Sequence, residues 1–164
     1  MILRIARAEE AEKAYQCLED AKAYQRLLGF AQWHAAYPTL PIVEDDIKAG
    51  IGYVFAEGEE ICGYCCIIIG DEPAYHAIDG AWKTDRPYAV VHRMAFSRQN
   101  AGKGLSARAF ALIKDFCAEN GIDAIRIDTH EDNKVMRHIL AREGFEYCGM
   151  IIYDGPKFAY EWDR

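Results

Sequence analysis

The stretch "RQNAGKGLSARAF" (Arg98–Phe110) decides how the chain is read. Two glycines and a lysine precede a run with helical spacing, and the apolar segment "YAVVHRMAF" (Tyr88–Phe96) comes just before. The start of a helix exposes about four unpaired backbone amides and carries partial positive charge, so it suits anions, phosphate above all. Gly102 and Gly104 allow such a group to approach the backbone closely. A pair of glycines also suits a plain turn, so the rest of the chain must choose.

Working outward, the 164 residues predict one domain over 1–164 with a sizeable core. A formal charge of −7 disfavours nucleic acid and an anionic membrane surface, because phosphate contacts need clustered Lys and Arg. No apolar run approaches a spanning length, the charged, alanine-rich N-terminus does not read as a signal peptide, and the expected location is the cytoplasm. The six cysteines follow no disulfide spacing. "CGYCC" (Cys62–Cys66) has no matching Cys or His pair elsewhere, so a buried strand is expected there and no metal.

"MILRIARA" alternates as a first strand, and residues 9–28 have helical spacing that stops at Gly29. "IVEDDIKAG" reads as a short helix closing at Gly50. Two strands follow around Gly58, then a loop over 73–87 and a strand over 88–96. The helix opened by the glycine stretch ends at Asn120-Gly121. A strand (123–130), a helix (132–145) and a hairpin across Asp154-Gly155-Pro156 complete the order β-α-α-β-β-β-α-β-α-β-β. The predicted class is α/β (α+β): a mixed, mostly antiparallel sheet of about seven strands flanked by about four helices.

Two nucleotide motifs fail. A Walker loop needs Ser or Thr after Gly-Lys, and Lys103 is followed by Gly104. Gly102, Gly104 and Ala107 formally satisfy the dinucleotide pattern, but five residues separate Phe96 from Gly102 and about sixty follow Gly104. A NAD-binding module is the weaker alternative. "QNAGKG" (Gln99–Gly104) instead resembles the Q/R-x-x-G-x-G/A signature of the GNAT N-acetyltransferase superfamily. It follows a strand ending "MAF", opens a helix, and precedes a strand and "DNKVMRHILAREGF" (Asp132–Phe145), which is similar to that family's Asn…Gly-Phe element. The element order agrees along the whole chain.

The resemblance implies acetyl-CoA as cosubstrate, with its pyrophosphate on the amides of Gln99, Gly102, Lys103, Gly104, Leu105 and Ser106. Met94, Ala95 and Phe96 would pair with the pantetheine arm as an added strand. Asn133 would bind the same arm or the acetyl-proximal region, and Arg142 would serve either the adenosine 3′-phosphate or the surface alone. His92 is the implied base: the amine arrives protonated, and an imidazole suits proton transfer near neutrality. Strand alternation puts Val90, His92 and Met94 on one side and Arg93 on the other. Arg93, paired with an acidic neighbour, is an equal candidate for the polar residue that matters. Many members carry a Tyr five residues before the Gly-Phe phenylalanine as acid for the thiolate; that position is Leu140 here, so the acid stays unassigned.

The acceptor is expected to be a small-molecule or peptide amine, bound among Trp33, Tyr37, Tyr75 and Trp82, with His34 nearby. Asp45, Asp46, Asp71 or Glu72 would attract it. A homodimer is compatible with this reading, as is an acetyl-CoA sensor without turnover.

Overall fold

Schellman bonding stops the first long helix. Phe30 N donates to Gln25 O and Gly29 N to Arg26 O, with Gly29 left-handed (φ +81). This helix, α1 (Ala11–Leu27), buries Ala11, Ala14, Cys17, Leu18, Lys22 and Gln25, a stripe at three- and four-residue spacing. The computed structural model describes residues 1–100 and 102–164. Among them it places α2 (Leu40–Lys48), α3 (Leu105–Glu119) and α4 (Lys134–Arg142). The strands are β1 (Ile2–Ile5), β2 (Gly52–Glu57), β3 (Glu60–Ile69), β4 (Asp79–Gly80), β5 (Tyr88–Phe96), β6 (Ala124–Thr129), β7 (Glu146–Ile152) and β8 (Pro156–Asp163).

The class is α/β, with strand order β1-β2-β3-β5-β6-β8-β7-β4. Of the described ladders, β5–β6 is parallel, and β1–β2, β2–β3, β6–β8, β7–β8 and β4–β7 are antiparallel. Eight strands replace the expected seven. The extra one, β4, lies in the stretch read as loop, and two residues cannot show an alternation. It pairs Gly80 with Gly149, where a Cβ on Gly80 would sit 2.2 Å from Cys148 O. Two residues without Cβ permit that approach.

Two compact units divide the chain. The first comprises Met1–Ile67 and His92–Leu112, the second Ile68–Val91 and Ile113–Arg164. In the first, Ala14, Cys17, Leu18, Trp33, Val43, Val54, Ile61, Tyr64 and Ala95 form the core. Each large apolar side chain buried there contributes roughly 1.5–3 kcal/mol. In the second, Tyr75, Val90, Ile151 and Ala159 are packed together, with Trp82 and Tyr88 against them. Cys62, Cys65 and Cys66 are buried on β3 as small apolar groups. All six cysteines are free thiols.

Candidate active site

The glycine stretch begins where β5 ends. Ser97 N donates to Cys62 O (2.9 Å), and Asn100 N to Ser97 O (2.9 Å), which turns the chain through a 3-10 segment at Arg98–Asn100. Gly102 (φ +76) and Gly104 (φ +69) are left-handed, and a Cβ on either would meet nothing within 4 Å. The space over these residues is therefore open. Gln99, Gly102, Lys103 and Gly104 are exposed, Ser106 half-buried and Leu105 buried, directly at the start of α3. Exposed glycines at a helix start leave room for an anionic group to approach the backbone.

The loop is fastened by carboxylates. Glu60 Oε1 accepts from Gln99 Nε2 (2.9 Å) and from Asn100 Nδ2 (2.8 Å), and Asp20 Oδ2 accepts from Arg98 N (2.7 Å). Asn100 is buried, and its Nδ2 also reaches Ser97 Oγ at 3.0 Å. Lys103 Nζ donates to Asn100 Oδ1 (3.2 Å), so this lysine is tied to the loop. Glu60, Asp20 and Asn100 carried no pattern that a sequence could reveal. A cavity of about 740 Å³ adjoins the loop, lined by Lys13, Gln16, Asp20, Glu60, Arg98 and Gln99 among others.

Upstream, β5 does not run as a plain strand. Its parallel ladder to β6 comprises Tyr88↔Ala124, Ala89↔Ile125 and Val90↔Arg126, whereas β5 itself continues to Phe96. Arg93 adopts φ +53, a left-handed conformation that costs an L-residue roughly 1–2 kcal/mol. The simple alternation expected around His92 is interrupted there. His92 is 7% exposed, and Met94 and Ala95 are buried.

The acidic neighbour of Arg93 is Asp46, on α2. Arg93 Nη2 donates to Asp46 Oδ1 (2.7 Å) and Nε to Asp46 Oδ2 (2.9 Å), while Nη1 donates to Tyr37 OH (3.1 Å). Tyr64 OH donates to Asp46 Oδ2 at 2.7 Å. Burial opposes the charge on Arg93, but Cys66, Asp46 and Tyr37 around it raise its pKa above the usual value. Burial, and then Asp46, push the Tyr64 hydroxyl far upward, so it remains a donor. Asp46 was expected to attract an amine; its oxygens are instead engaged in this network.

The aromatic residues are placed by packing. Trp33 lies in the first unit's core, its backbone N–H donating to Gln25 Oε1 (2.9 Å), and Tyr37 is half-buried at Arg93. In the second unit Tyr75 is 1% exposed, and burial followed by Asp128 raises its pKa well above the ordinary value. Trp82 stacks on Tyr75 at 5.1 Å, donates Nε1–H to Tyr75 O (2.9 Å) and lies 4.3 Å from the Arg126 guanidinium. Asp71 bonds His76 Nε2 (2.6 Å). Asn133 caps α4, its Oδ1 accepting from Met136 N (3.1 Å), and Arg142 is exposed beside Glu143. Leu140 is fully buried. Among the described residues no group of three or more His, Cys, Asp or Glu could hold a metal ion, and no helix is long and apolar enough to cross a membrane.

The chain is similar to known proteins. Residues 14–145 match the profile of the acetyltransferase (GNAT) family. The uncharacterized N-acetyltransferase YesJ of Bacillus subtilis is 28% identical over 151 residues, 86% of this chain and 79% of its own. A GNAT-family acetyltransferase from Streptococcus agalactiae is 33% identical, with a TM-score of 0.88 over 99% of this chain and 94% of that one. An aminoglycoside acetyltransferase, AAC(6')-Ib, solved with coenzyme A and kanamycin, shares the fold at 20% identity and a TM-score of 0.71, over 99% and 94% of the two chains.

Proposed function

Since the chain belongs to the acetyltransferase (GNAT) family, we propose that it moves the acetyl group of acetyl-CoA to a primary amine by direct attack in a ternary complex. The observation that carries this reading is the pair of exposed, left-handed glycines, Gly102 and Gly104, with open space above them at the start of α3. The amides of Gln99 and of Gly102 to Ser106 hold the diphosphate. Met94, Ala95 and Phe96 offer backbone groups to the pantetheine amides.

The chemistry needs a neutral amine, a stabilised thioester oxygen and a leaving thiolate. The amine nitrogen bonds to the carbonyl carbon, the C–S bond breaks, and the nitrogen's surplus proton leaves through a base. His92 on β5 is that base in this reading, with a main-chain N–H of the 94–96 segment facing the developing oxyanion. The thiolate takes its proton from solvent, since the buried side chain at 140 is leucine. A formal charge of −7 favours a cationic acceptor.

Thermal shift with acetyl-CoA, CoA and NAD tests the ligand class, because selective binding to the folded state raises the melting temperature. Stabilisation by both coenzyme A forms and none by NAD is expected. Thiol release with a panel of amines, aminoglycosides and peptide N-termini included, then identifies the acceptor. Tight acetyl-CoA binding with no reactive amine would make the chain a sensor and end the transferase reading. His92→Ala should lower kcat and leave acetyl-CoA affinity nearly intact; an unchanged pH–rate profile would remove His92 from the mechanism.

A further inference from the structure

The left-handed position in β5 is occupied by arginine, although glycine would adopt φ +53 without a steric penalty. Such conformations persist when their surroundings over-determine them, and they gather where a chain must be aimed. Here the surroundings are specific. The guanidinium meets Asp46 through two parallel N–H···O bonds of 2.7 and 2.9 Å, and the two side chains are only 9% and 8% exposed. A planar fork of this kind fixes orientation as well as distance, which a lysine ammonium does not. Tyr64 from β3 holds the carboxylate, and Tyr37 holds the remaining Arg93 nitrogen. Side chains from α2 and from the segment before it thus meet one residue of abnormal backbone, and a third from β3 braces the carboxylate.

We propose that the Arg93–Asp46 pair is a positioning device: it holds the kink in β5 and so aims the main-chain groups of Met94–Phe96 at the acyl end of the bound thioester. The proposal rests on the acetyl-CoA reading above. Neither side chain touches the reacting atoms; both act through the backbone that follows Arg93. The ladder to β6 ends at Val90, three residues before the kink, so beyond that point the direction of β5 is set by its β3 neighbour, by its own conformation and by this fork. A loosened fork would let the strand relax toward ordinary extended geometry. The carbonyl contact would be lost while the diphosphate stayed in the glycine loop.

The test uses the full chain and acetyl-CoA carrying ¹³C at the thioester carbonyl. Isotope-edited infrared spectra read the hydrogen bond to that carbonyl without any acceptor, and calorimetry gives affinities for acetyl-CoA and CoA. Bound to the wild type, the carbonyl band should move to lower wavenumber than in free acetyl-CoA. Asp46→Asn and Arg93→Lys should return most of that shift, with CoA affinity changed by less than about threefold, because the loop amides are untouched. Once an acceptor is known, kcat should fall by about tenfold to a hundredfold with little change in KM for acetyl-CoA, as a misplaced reacting group does. Val54→Ala, which loosens the same core and removes no atom of the Arg93–Asp46–Tyr64 network, should keep the wild-type band.

An unshifted band in the wild type, a wild-type band in both fork variants, or an equal loss in Val54→Ala would overturn the proposal. If Asp46→Asn fails to fold, Arg93→Lys decides by the same criteria. A wild type that binds neither coenzyme A form would instead sink the acetyl-CoA reading, and this inference with it.

Discussion

Replacing Gly104 with alanine separates what the loop does for the fold from what it does for a ligand. At φ +69 an alanine is strained by roughly 1–2 kcal/mol, and the unfolded chain's lost freedom gives back roughly 0.4–1 kcal/mol. The new methyl meets no protein atom within 4 Å, so packing adds nothing on either side. The net cost is about 1 kcal/mol, which lowers the melting temperature of a chain this size by about 2–4 °C. If the amides around Gly104 grip a diphosphate, the methyl also enters ligand space. Losing one or more charge-assisted bonds, each about 1.5–3 kcal/mol, weakens acetyl-CoA and CoA alike by about tenfold to a hundredfold. Gly29→Ala is the matched control, with φ +81, nothing within 4 Å, and a place at the end of α1. It should show the same thermal loss and unchanged affinity. Calorimetric titration of both variants reads the difference. Wild-type affinity in Gly104→Ala, or an equal affinity loss in Gly29→Ala, would refute the cradle. The bulkier Gly104→Val should abolish binding outright.

Other outcomes follow from the same structure. Arg4, whose two bonds to Glu10 are 2.8 and 2.7 Å, holds the buried Glu10 carboxyl far below its ordinary 4.5 together with Arg7, against the opposing effect of burial. The folded state therefore binds this proton less readily than the unfolded one; the stabilisation is full above the ordinary value and is lost as pH falls below it. Glu10→Gln should melt lower than wild type at neutral pH, with the gap narrowing in acid; a constant gap down to pH about 3 would contradict the assignment. Burial pushes the Cys17 and Cys117 thiols up to about 12. Native protein at pH about 8 should resist aromatic-disulfide labelling there and react fully once unfolded; rapid native labelling at either site would argue against its burial.

Local rules decided much of this protein. Gly29, Gly50, Asn120-Gly121 and Gly144 end helices where a left-handed residue is cheapest, and α1, α2, α3 and α4 stop at them. Tyr88–Phe96 reads as one strand because its apolar run fits a buried sheet position, and the glycine stretch that follows it opens α3. Both are properties of adjacent residues, which is why they can be read without coordinates.

What the tertiary structure decided involves partners far apart along the chain. Asp46 and Arg93 are 47 positions apart, and nothing in "EDD" marks which carboxylate will be buried opposite the guanidinium. Glu60 fastens Gln99 and Asn100 across about forty residues. Trp33 and Tyr75, aromatic and in segments suited to a pocket, are packed in the cores because an aromatic ring gains as much from burial in either place. The positive φ at Arg93 is the clearest case. Backbone preference alone opposes it, and the carboxylate that meets its side chain is delivered by α2, with a tyrosine from β3 behind it.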